Sequence, residues 1–241
     1  MTQSHSKNYL SQLNRRGFLR ASSLMASSLV LAGCGTKKIT SMLPSPIWDQ
    51  KPYEENPEML PVILPQKTLS MGAISRASWA KGNPIPRNMN KMLPVKYITV
   101  HHDGMSSFTN TSKSAAASRL ETIRRSHLRR DGGRWGDIGY HFAIDPSGRL
   151  WEARPLAWQG AHVRARNEGN VGVVVLGNYE RQAVNSTQQE AVLSTLQTLM
   201  SRFQVPVRRV LTHQEWAATA CPGRSLQKVT SNLRNNVLQQ S

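Results

Sequence analysis

The stretch Val95-Lys96-Tyr97-Ile98-Thr99-Val100-His101-His102 decides the fold, because it joins a strand to a chemically reactive end. Its β-branched and aromatic residues predict a buried strand that finishes at the two histidines. A second stretch, Asn170 to Leu176, is a nearly continuous apolar run, which is typical of a central strand covered on both faces. Ligands in α/β enzymes lie at strand ends, so we expect the site at the end of the first strand.

Hydrophobic periodicity and turn residues predict the other elements. In chain order they are a helix over 114–130, a hairpin with strands 140–145 and 150–153, a helix capped by Ser186 or Thr187, a short strand over 207–211 and a helix over 226–238. Strands separated by helices, with one hairpin, indicate an α/β class. We predict a mixed central β-sheet with helices packed on its faces, in a single domain.

The segment from Thr212 to Gly223 carries the strongest chemical signal, because it holds His213 and Cys221. Two imidazoles and one thiolate would give a zinc ion three protein ligands and leave a fourth position open for water, which is typical of a hydrolytic site. The second imidazole would come from the pair His101-His102. The alternative for Cys221 is a buried structural cysteine, but a Thr-Ala-Cys-Pro-Gly turn is a poor place for core packing.

The first residues are predicted to be a targeting segment rather than part of the fold. Arg15-Arg16 lies in a twin-arginine pattern, and the weakly apolar stretch that follows is shorter than the ~20 residues needed to span a membrane. Leu31-Ala32-Gly33-Cys34 resembles the lipobox of bacterial lipoproteins, so Cys34 is expected to carry acyl chains that anchor the protein stably in a membrane. No disulfide partner then remains for Cys221.

These signals divide the chain into a signal peptide over 1–33, a tether over 34–70 and a folded domain over 71–241. The tether is rich in proline and lacks a sustained apolar period. The remaining ~170 residues are a usual size for one domain. Gly35, and not an aspartate, follows the lipidated cysteine, so we expect a lipid-anchored protein of the cell envelope that faces the periplasm, on the outer membrane rather than the inner one.

The chain is strongly basic, with a formal net charge of +17. Residues 1–33 hold four basic residues and no acidic one, so the mature chain keeps +13. In an exported protein we interpret this charge as steering toward the anionic wall or membrane surface. Nucleic acid is not an expected partner, because the arginines lack interleaved aromatic residues. The densest cluster, interpreted as a solvated helix face, is Arg124, Arg125, Arg129, Arg130 and Arg134.

Several short motifs occur in the order of a known family. They are Ser75-Arg76-Ala77-Ser78-Trp79, Ile98 to His102, Gly136 to Phe142, Gly160-Ala161-His162, Asn167, Gly172 to Gly177 and His213 to Gly223. Over about 74–226 this ordered set resembles the zinc amidases that cut the N-acetylmuramoyl-L-alanine bond of peptidoglycan. That group includes phage lysozyme-type amidases and peptidoglycan recognition proteins, and the ordered set is more specific than any one motif.

The resemblance implies a zinc cofactor with His101, His213 and Cys221 as its ligands. Tyr140 matches the family's catalytic tyrosine, which would hydrogen-bond the developing oxyanion. Thr219 stands where some relatives carry a lysine. Its hydroxyl can donate to an oxyanion but brings no positive charge.

The substrate contacts implied by the resemblance are His162 and Asn167, which are expected to line a groove for glycan or peptide. His102 is the ambiguous neighbour of the ligand on the strand, because successive strand side chains point to opposite faces and only one of the pair can aim at the metal. The family pattern places the ligand first, and His102 is placed with the substrate contacts. Glu152 and Glu215 are candidate proton carriers, and the alternative for both is a surface or supporting carboxylate.

Three functions remain open on the sequence alone. The first is hydrolysis of the amide between N-acetylmuramic acid and L-alanine in peptidoglycan by zinc-activated water. The second is a receptor that binds peptidoglycan without cutting it, and the third is an amidase for free anhydro-muropeptides. Receptors of this kind typically lack a metal ligand, most often the cysteine, whereas here every ligand position is filled. We therefore favour an enzyme, and we expect it to be a monomer.

Overall fold

The computed structural model describes residues 71–238 of the 241-residue chain. The predicted signal peptide and tether, with Cys34, lie outside the described residues. The helices of the described part are each too short or too polar to cross a bilayer.

A five-stranded sheet forms the centre of the domain, with strand order β3-β2-β4-β1-β5. The strands are β1 (Tyr97–His102), β2 (Phe142–Ile144), β3 (Leu150–Glu152), β4 (Asn170–Val175) and β5 (Val210–Thr212). β2 and β3 form the predicted hairpin and pair antiparallel, while the pairs β2–β4, β4–β1 and β1–β5 are parallel. The sheet is therefore mixed, as the sequence predicted.

The register of the parallel strands decides what meets at the sheet edge. β1 pairs with β4 along its whole length, up to His102 opposite Val175, and with β5 up to Val100 opposite Thr212. Parallel strands end at the same edge, so the histidines that close β1 lie beside the residue that follows β5. That residue is His213, which starts a short 3-10 turn.

Helices cover both faces of the sheet. They are α1 (Lys113–Leu128), α2 (Ser186–Phe203) and α3 (Arg224–Leu238). One core cluster includes Val173 of β4 with Leu196 of α2 and Leu226 of α3, and the other includes the next β4 residue, Val174, with Leu120 of α1. Because neighbouring strand residues point to opposite faces, the two clusters lie on opposite sides of the sheet. The predicted α/β fold class is confirmed.

Residues 71–96 run across the domain before β1 begins. Ile74 forms a parallel bridge with Trp151 of β3, and Lys91 forms an antiparallel bridge with Trp158. Trp79 is 5% exposed, and its indole N–H donates to the carbonyl of Glu152 over 2.8 Å. This segment therefore wraps the sheet through backbone and core contacts.

Most element boundaries shift by one to three residues from the sequence prediction, and two of the shifts have a clear local cause. Asn185, and not Ser186 or Thr187, caps α2, because its side-chain oxygen accepts the backbone N–H of Gln188 over 2.8 Å. β5 begins at Val210, since residues 207–209 form a 3-10 turn after Pro206.

The arginine cluster is only partly a solvated face, which corrects the sequence interpretation. Arg124 is 6% exposed, and its guanidinium donates to both carboxylate oxygens of Glu121 over 2.8 and 3.1 Å. Asp137, which is fully buried, lies 3.9 Å from the same guanidinium. The exposed members are Arg125, Arg129, Arg130 and Arg134.

Candidate metal centre and active site

Three segments bring one histidine or cysteine each to the edge of the sheet. His101 lies near the end of β1, His213 directly follows β5, and Cys221 lies in the turn before α3. The ligand atoms of these residues all lie within 4.8 Å of one another. Nδ1 of His101 and Sγ of Cys221 are 3.6 Å apart.

This donor set fits zinc. Zn–N bonds of about 2.1 Å and Zn–S bonds of about 2.3 Å at a tetrahedral angle separate nitrogen and sulfur by about 3.6 Å. His101 and Cys221 show that separation. Two imidazoles and a thiolate also suit zinc chemically and leave a fourth position open.

Burial shapes the protonation of these donors. It lowers the pKa of His101 well below the ordinary value, so the ring is neutral and keeps a lone pair. Burial likewise lowers the pKa of His213. Burial raises the pKa of the Cys221 thiol to about 12, so a thiolate at this position needs a cation beside it.

His162 lies against the side of His101 that faces away from Cys221, and the residue is 8% exposed. Its Nδ1 is 3.0 Å from Nε2 of His101, and its Nε2 is 3.1 Å from the carbonyl oxygen of Asn170. The side-chain oxygen of Asn167 accepts the backbone N–H groups of His162 and Val163, both over 2.9 Å. Both predicted groove residues thus make these hydrogen bonds inside the protein, and their contact with substrate stays a prediction.

Tyr140 lies beside the donor set, next to His101. Its ring centroid is 5.1 Å from that of His101, and its hydroxyl has no hydrogen-bond partner among the described residues. Burial, together with the nearby Cys221, raises the pKa of Tyr140 well above the ordinary value, so the hydroxyl remains a donor. Thr219 is exposed, and its hydroxyl oxygen accepts the backbone N–H of Cys221 over 3.2 Å. Its own proton therefore stays available.

His102 supports the loop beside the donor set. Its Nδ1 accepts the backbone N–H of Tyr179 over 3.2 Å, and the residue is 9% exposed. The turn that carries Cys221 packs on the same loop, because a Cβ at Gly223 would lie 2.4 Å from the backbone of Tyr179. Gly223 also has φ +89°, a conformation that favours glycine. His102 thus holds the loop on which the Cys221 turn packs, and its backbone carbonyl oxygen lies 3.9 Å from Sγ of Cys221.

The two candidate proton carriers, Glu215 and Glu152, both accept hydrogen bonds from other residues of the domain. Glu215 accepts the backbone N–H and the hydroxyl of Thr212 over 2.7 and 3.0 Å and forms a 2.7 Å ion pair with Arg234. Burial alone would raise the pKa of Glu215, but the hydrogen bonds from Arg234 and Thr212 lower it overall. A carboxylate held in this way is a poor acid at neutral pH. Glu152 accepts the backbone N–H of Arg76 over 3.4 Å.

His127 is a neighbour of the site that the sequence did not assign to it. The residue is 6% exposed on α1, and its ring lies 5.5 Å from that of Tyr140 and 5.1 Å from that of Trp135. Its Nδ1 accepts the backbone N–H of Gly139 over 2.9 Å. The available signal was a polar residue within the apolar stripe of a helix.

Comparison with known proteins identifies the family. Residues 91–224 match the family described as N-acetylmuramoyl-L-alanine amidase. A peptidoglycan-recognition protein of Drosophila simulans is 32% identical over 169 residues, which cover 69% of this chain and 90% of that protein. N-acetylmuramoyl-L-alanine amidase of Mus musculus is 30% identical over 152 residues, which cover 61% of this chain and 27% of that protein. The chain belongs to the N-acetylmuramoyl-L-alanine amidase family.

Solved structures agree with this assignment. Bumblebee PGRP-SA has a TM-score of 0.59 at 27% identity, and the match covers 66% of this chain and 93% of that one. The ectodomain complex of peptidoglycan recognition proteins LCa and LCx bound to tracheal cytotoxin has a TM-score of 0.58 at 26% identity, covering 65% and 93%. Family and fold support a function on peptidoglycan and leave open whether the chain hydrolyses it or binds it.

Proposed function

We propose that this protein is a zinc-dependent amidase that hydrolyses the bond between N-acetylmuramic acid and the L-alanine of the peptidoglycan stem peptide. The observation that carries the proposal is the convergence of His101, His213 and Cys221 within 4.8 Å. Tyr140, with a hydroxyl that has no partner among the described residues, stands beside them.

In the proposed mechanism the protein holds the metal and stabilises the charge that develops on the substrate. When bound by His101, His213 and Cys221, zinc supplies a Lewis acid and makes water nucleophilic near neutral pH. Tyr140 keeps its proton because its pKa is raised, so it can donate to the oxyanion that forms on the lactyl carbonyl. Thr219 offers a second, uncharged donor from the turn that carries Cys221.

The deciding experiment is digestion of purified peptidoglycan by the full chain, with product masses measured. We expect free stem peptides with an L-alanine amino terminus, their loss after chelation, and their return with added zinc. Cys221→Ser keeps the size of the side chain and removes the thiolate, so it should release no stem peptide. Release that persists after complete chelation would contradict the zinc mechanism.

The second candidate function is a receptor that binds peptidoglycan without cutting it, favoured by the relatives named as recognition proteins. The same digestion separates the two functions. Binding to peptidoglycan without release of peptide, by a protein that holds zinc, would support the receptor. Cleavage of soluble anhydro-muropeptides but not of intact peptidoglycan would keep the amidase chemistry and change the substrate.

We also propose that the chain is exported through the twin-arginine route and anchored by Cys34 in a membrane, facing the periplasm, with the outer membrane favoured. The support is the sequence of residues 14–35. Replacing Arg15 and Arg16 together by lysine should retain the protein in the cytoplasm. Cys34→Ser should move it from the membrane fraction to the soluble fraction. Unchanged fractionation of either variant would overturn the corresponding part of the proposal.

A further inference from the structure

The ring of His162 lies in a slot between two glycines. A Cβ at Gly160 would lie 2.5 Å from Cδ2 of His162, and a Cβ at Gly172 would lie 2.6 Å from the same atom. Any larger residue at either position would collide with the ring. Asn167 accepts the backbone N–H of His162, so the backbone is held as well. Both the ring and the backbone of His162 are therefore held in place by their neighbours.

The hydrogen-bond partners of His162 determine which of its nitrogens carries the hydrogen. Nε2 lies 3.1 Å from the carbonyl oxygen of Asn170, which can only accept, so Nε2 carries a hydrogen and donates it. In the neutral ring Nδ1 has a lone pair, and this atom lies 3.0 Å from Nε2 of His101.

The hydrogen bond between the two rings then determines the tautomer of His101. Its Nε2 must donate to the lone pair of His162, so Nε2 carries the hydrogen and Nδ1 carries the lone pair. Nδ1 is the atom that faces Cys221, 3.6 Å from its sulfur. One backbone carbonyl thus sets two imidazole tautomers in succession.

The carbonyl group of Asn170, where this series of hydrogen bonds begins, belongs to a buried part of the sheet. Asn170 is fully buried as the first residue of β4. Its side-chain oxygen accepts the hydroxyl of Thr99 over 2.9 Å, and its side-chain nitrogen donates to the carbonyl of Arg166 over 2.8 Å. The orientation of the two histidine rings is therefore fixed by the β1–β4 pairing and not by a loop.

We propose that His162 is a positioning residue that fixes the tautomer and the ring orientation of His101, so that the Nδ1 lone pair points at the metal. This inference rests on the proposed zinc function. Partners that orient a metal-binding histidine typically change metal affinity by about 10–100-fold when they are removed.

Three variants separate the two hydrogen bonds of His162. Asparagine places an amide oxygen near the Nδ1 position and can accept from His101. Glutamine reaches the Nε2 position beside Asn170 but leaves His101 without its acceptor, and leucine makes neither bond. Competition of the metal-free full chain with a chromophoric chelator should show His162→Gln and His162→Leu binding zinc about 10–100-fold more weakly. His162→Asn should stay close to the wild type.

His141 provides a control, because it is a buried histidine whose ring lies 5.9 Å from that of His162 but which makes no hydrogen bond to His101. Its Nδ1 accepts the backbone N–H of Gly172, and its Nε2 donates to the carbonyl of Trp158. His141→Gln should lower thermal stability without a comparable loss of zinc affinity. Thermal melts of every metal-free variant show whether the fold is retained.

A direct test needs no variant. Long-range ¹H–¹⁵N spectra of the metal-free protein should show both His101 and His162 in the Nε2–H tautomer. An Nδ1–H tautomer at His101, or wild-type zinc affinity in both His162→Leu and His162→Gln, would overturn the proposal. Zinc binding by a wild type that cleaves no peptidoglycan would overturn the proposed function and leave this test valid. Absence of zinc binding by the wild type would overturn both.

Discussion

Tyr140 is the side chain at which catalysis can be separated from metal binding. Its hydroxyl makes no hydrogen bond to the described residues, so removing the hydroxyl leaves no protein group unpaired. We expect Tyr140→Phe to lower kcat for stem-peptide release by about 10²–10³-fold, as for the loss of one oxyanion donor. Zinc affinity, measured by chelator competition, should not change. A parallel fall in zinc affinity would show that Tyr140 supports the metal ligands instead.

The chemistry of single residues was predictable where the residue type limits the options. A lone cysteine in a Pro-Gly turn and histidines after apolar strands are unusual enough to indicate a metal site. The hydrogen bonds of His162 to His101 and Asn170 were not predictable. They depend on the position of the Asn170 carbonyl, which is set by the register of β1 against β4. Arg124 was misread because its contact with the buried Asp137, which lies outside α1, has no signal in the helix pattern.

At the scale of elements, α1 carries a buried ion pair between Glu121 and Arg124, and Glu121 joins the helix to the preceding segment by accepting the backbone N–H of Lys81 over 3.2 Å. Burial raises the pKa of Glu121, but the hydrogen bonds from Arg124 and from the backbone of Lys81 outweigh it and lower the pKa overall. A lowered pKa means that the folded state favours the carboxylate, so this stabilisation is present above the ordinary glutamate pKa of about 4.3 and is lost as pH falls through the lower folded value.

Glu121→Gln tests this pair. We expect the free energy of unfolding at pH 7 to fall by about 1–3 kcal/mol, because Arg124 loses a charged partner. The difference from the wild type should shrink as pH falls below about 4. Urea denaturation of the metal-free protein at pH 7 and in mild acid measures both quantities. Glu190→Gln, at an exposed position on α2, is the control and should change little at either pH. A pH-independent loss would show that packing rather than charge is responsible.

The contact between α3 and the turn that carries His213 gives a second prediction for an element. Arg234 of α3 pairs with Glu215 over 2.7 Å and donates to the carbonyl of Val210 over 3.3 Å. Arg234→Met keeps the aliphatic stem and removes both bonds, so we expect zinc affinity to fall about tenfold through a looser turn. Lys228→Met, exposed on the same helix, should bind zinc like the wild type. Equal affinities in the two variants would contradict this role.

Element positions were predictable to within a few residues, and their ends were less so. A cap is decided by which of several suitable side chains reaches a free N–H, and at α2 Asn185 does so before Ser186. β5 is short because its pairing with β1 covers only Val210 to Thr212. That limit comes from a partner strand more than a hundred residues away and has no local signal.

At the scale of the whole molecule, the donor set connects distant parts of the chain. His101 and Cys221 are 120 residues apart in sequence, and His213 adds a third segment. The mixed α/β class followed from periodicity, whereas the order β3-β2-β4-β1-β5 that produces this convergence depends on non-local pairing. A metal at this edge would connect the end of β1, the residue that follows β5 and the turn before α3.

Zinc should therefore stabilise the domain as a whole. A ligand that binds the folded state at a free concentration 100 times its Kd adds about 2.7 kcal/mol. For a domain of about 170 residues each kcal/mol raises Tm by about 2–4 °C, so saturation should raise Tm by roughly 5–11 °C. Differential scanning calorimetry of the metal-free chain, with and without zinc, measures the shift. Cys221→Ser should show a much smaller shift, and Cys34→Ser should show the full one. An undiminished shift in Cys221→Ser would place the stabilising zinc elsewhere in the chain.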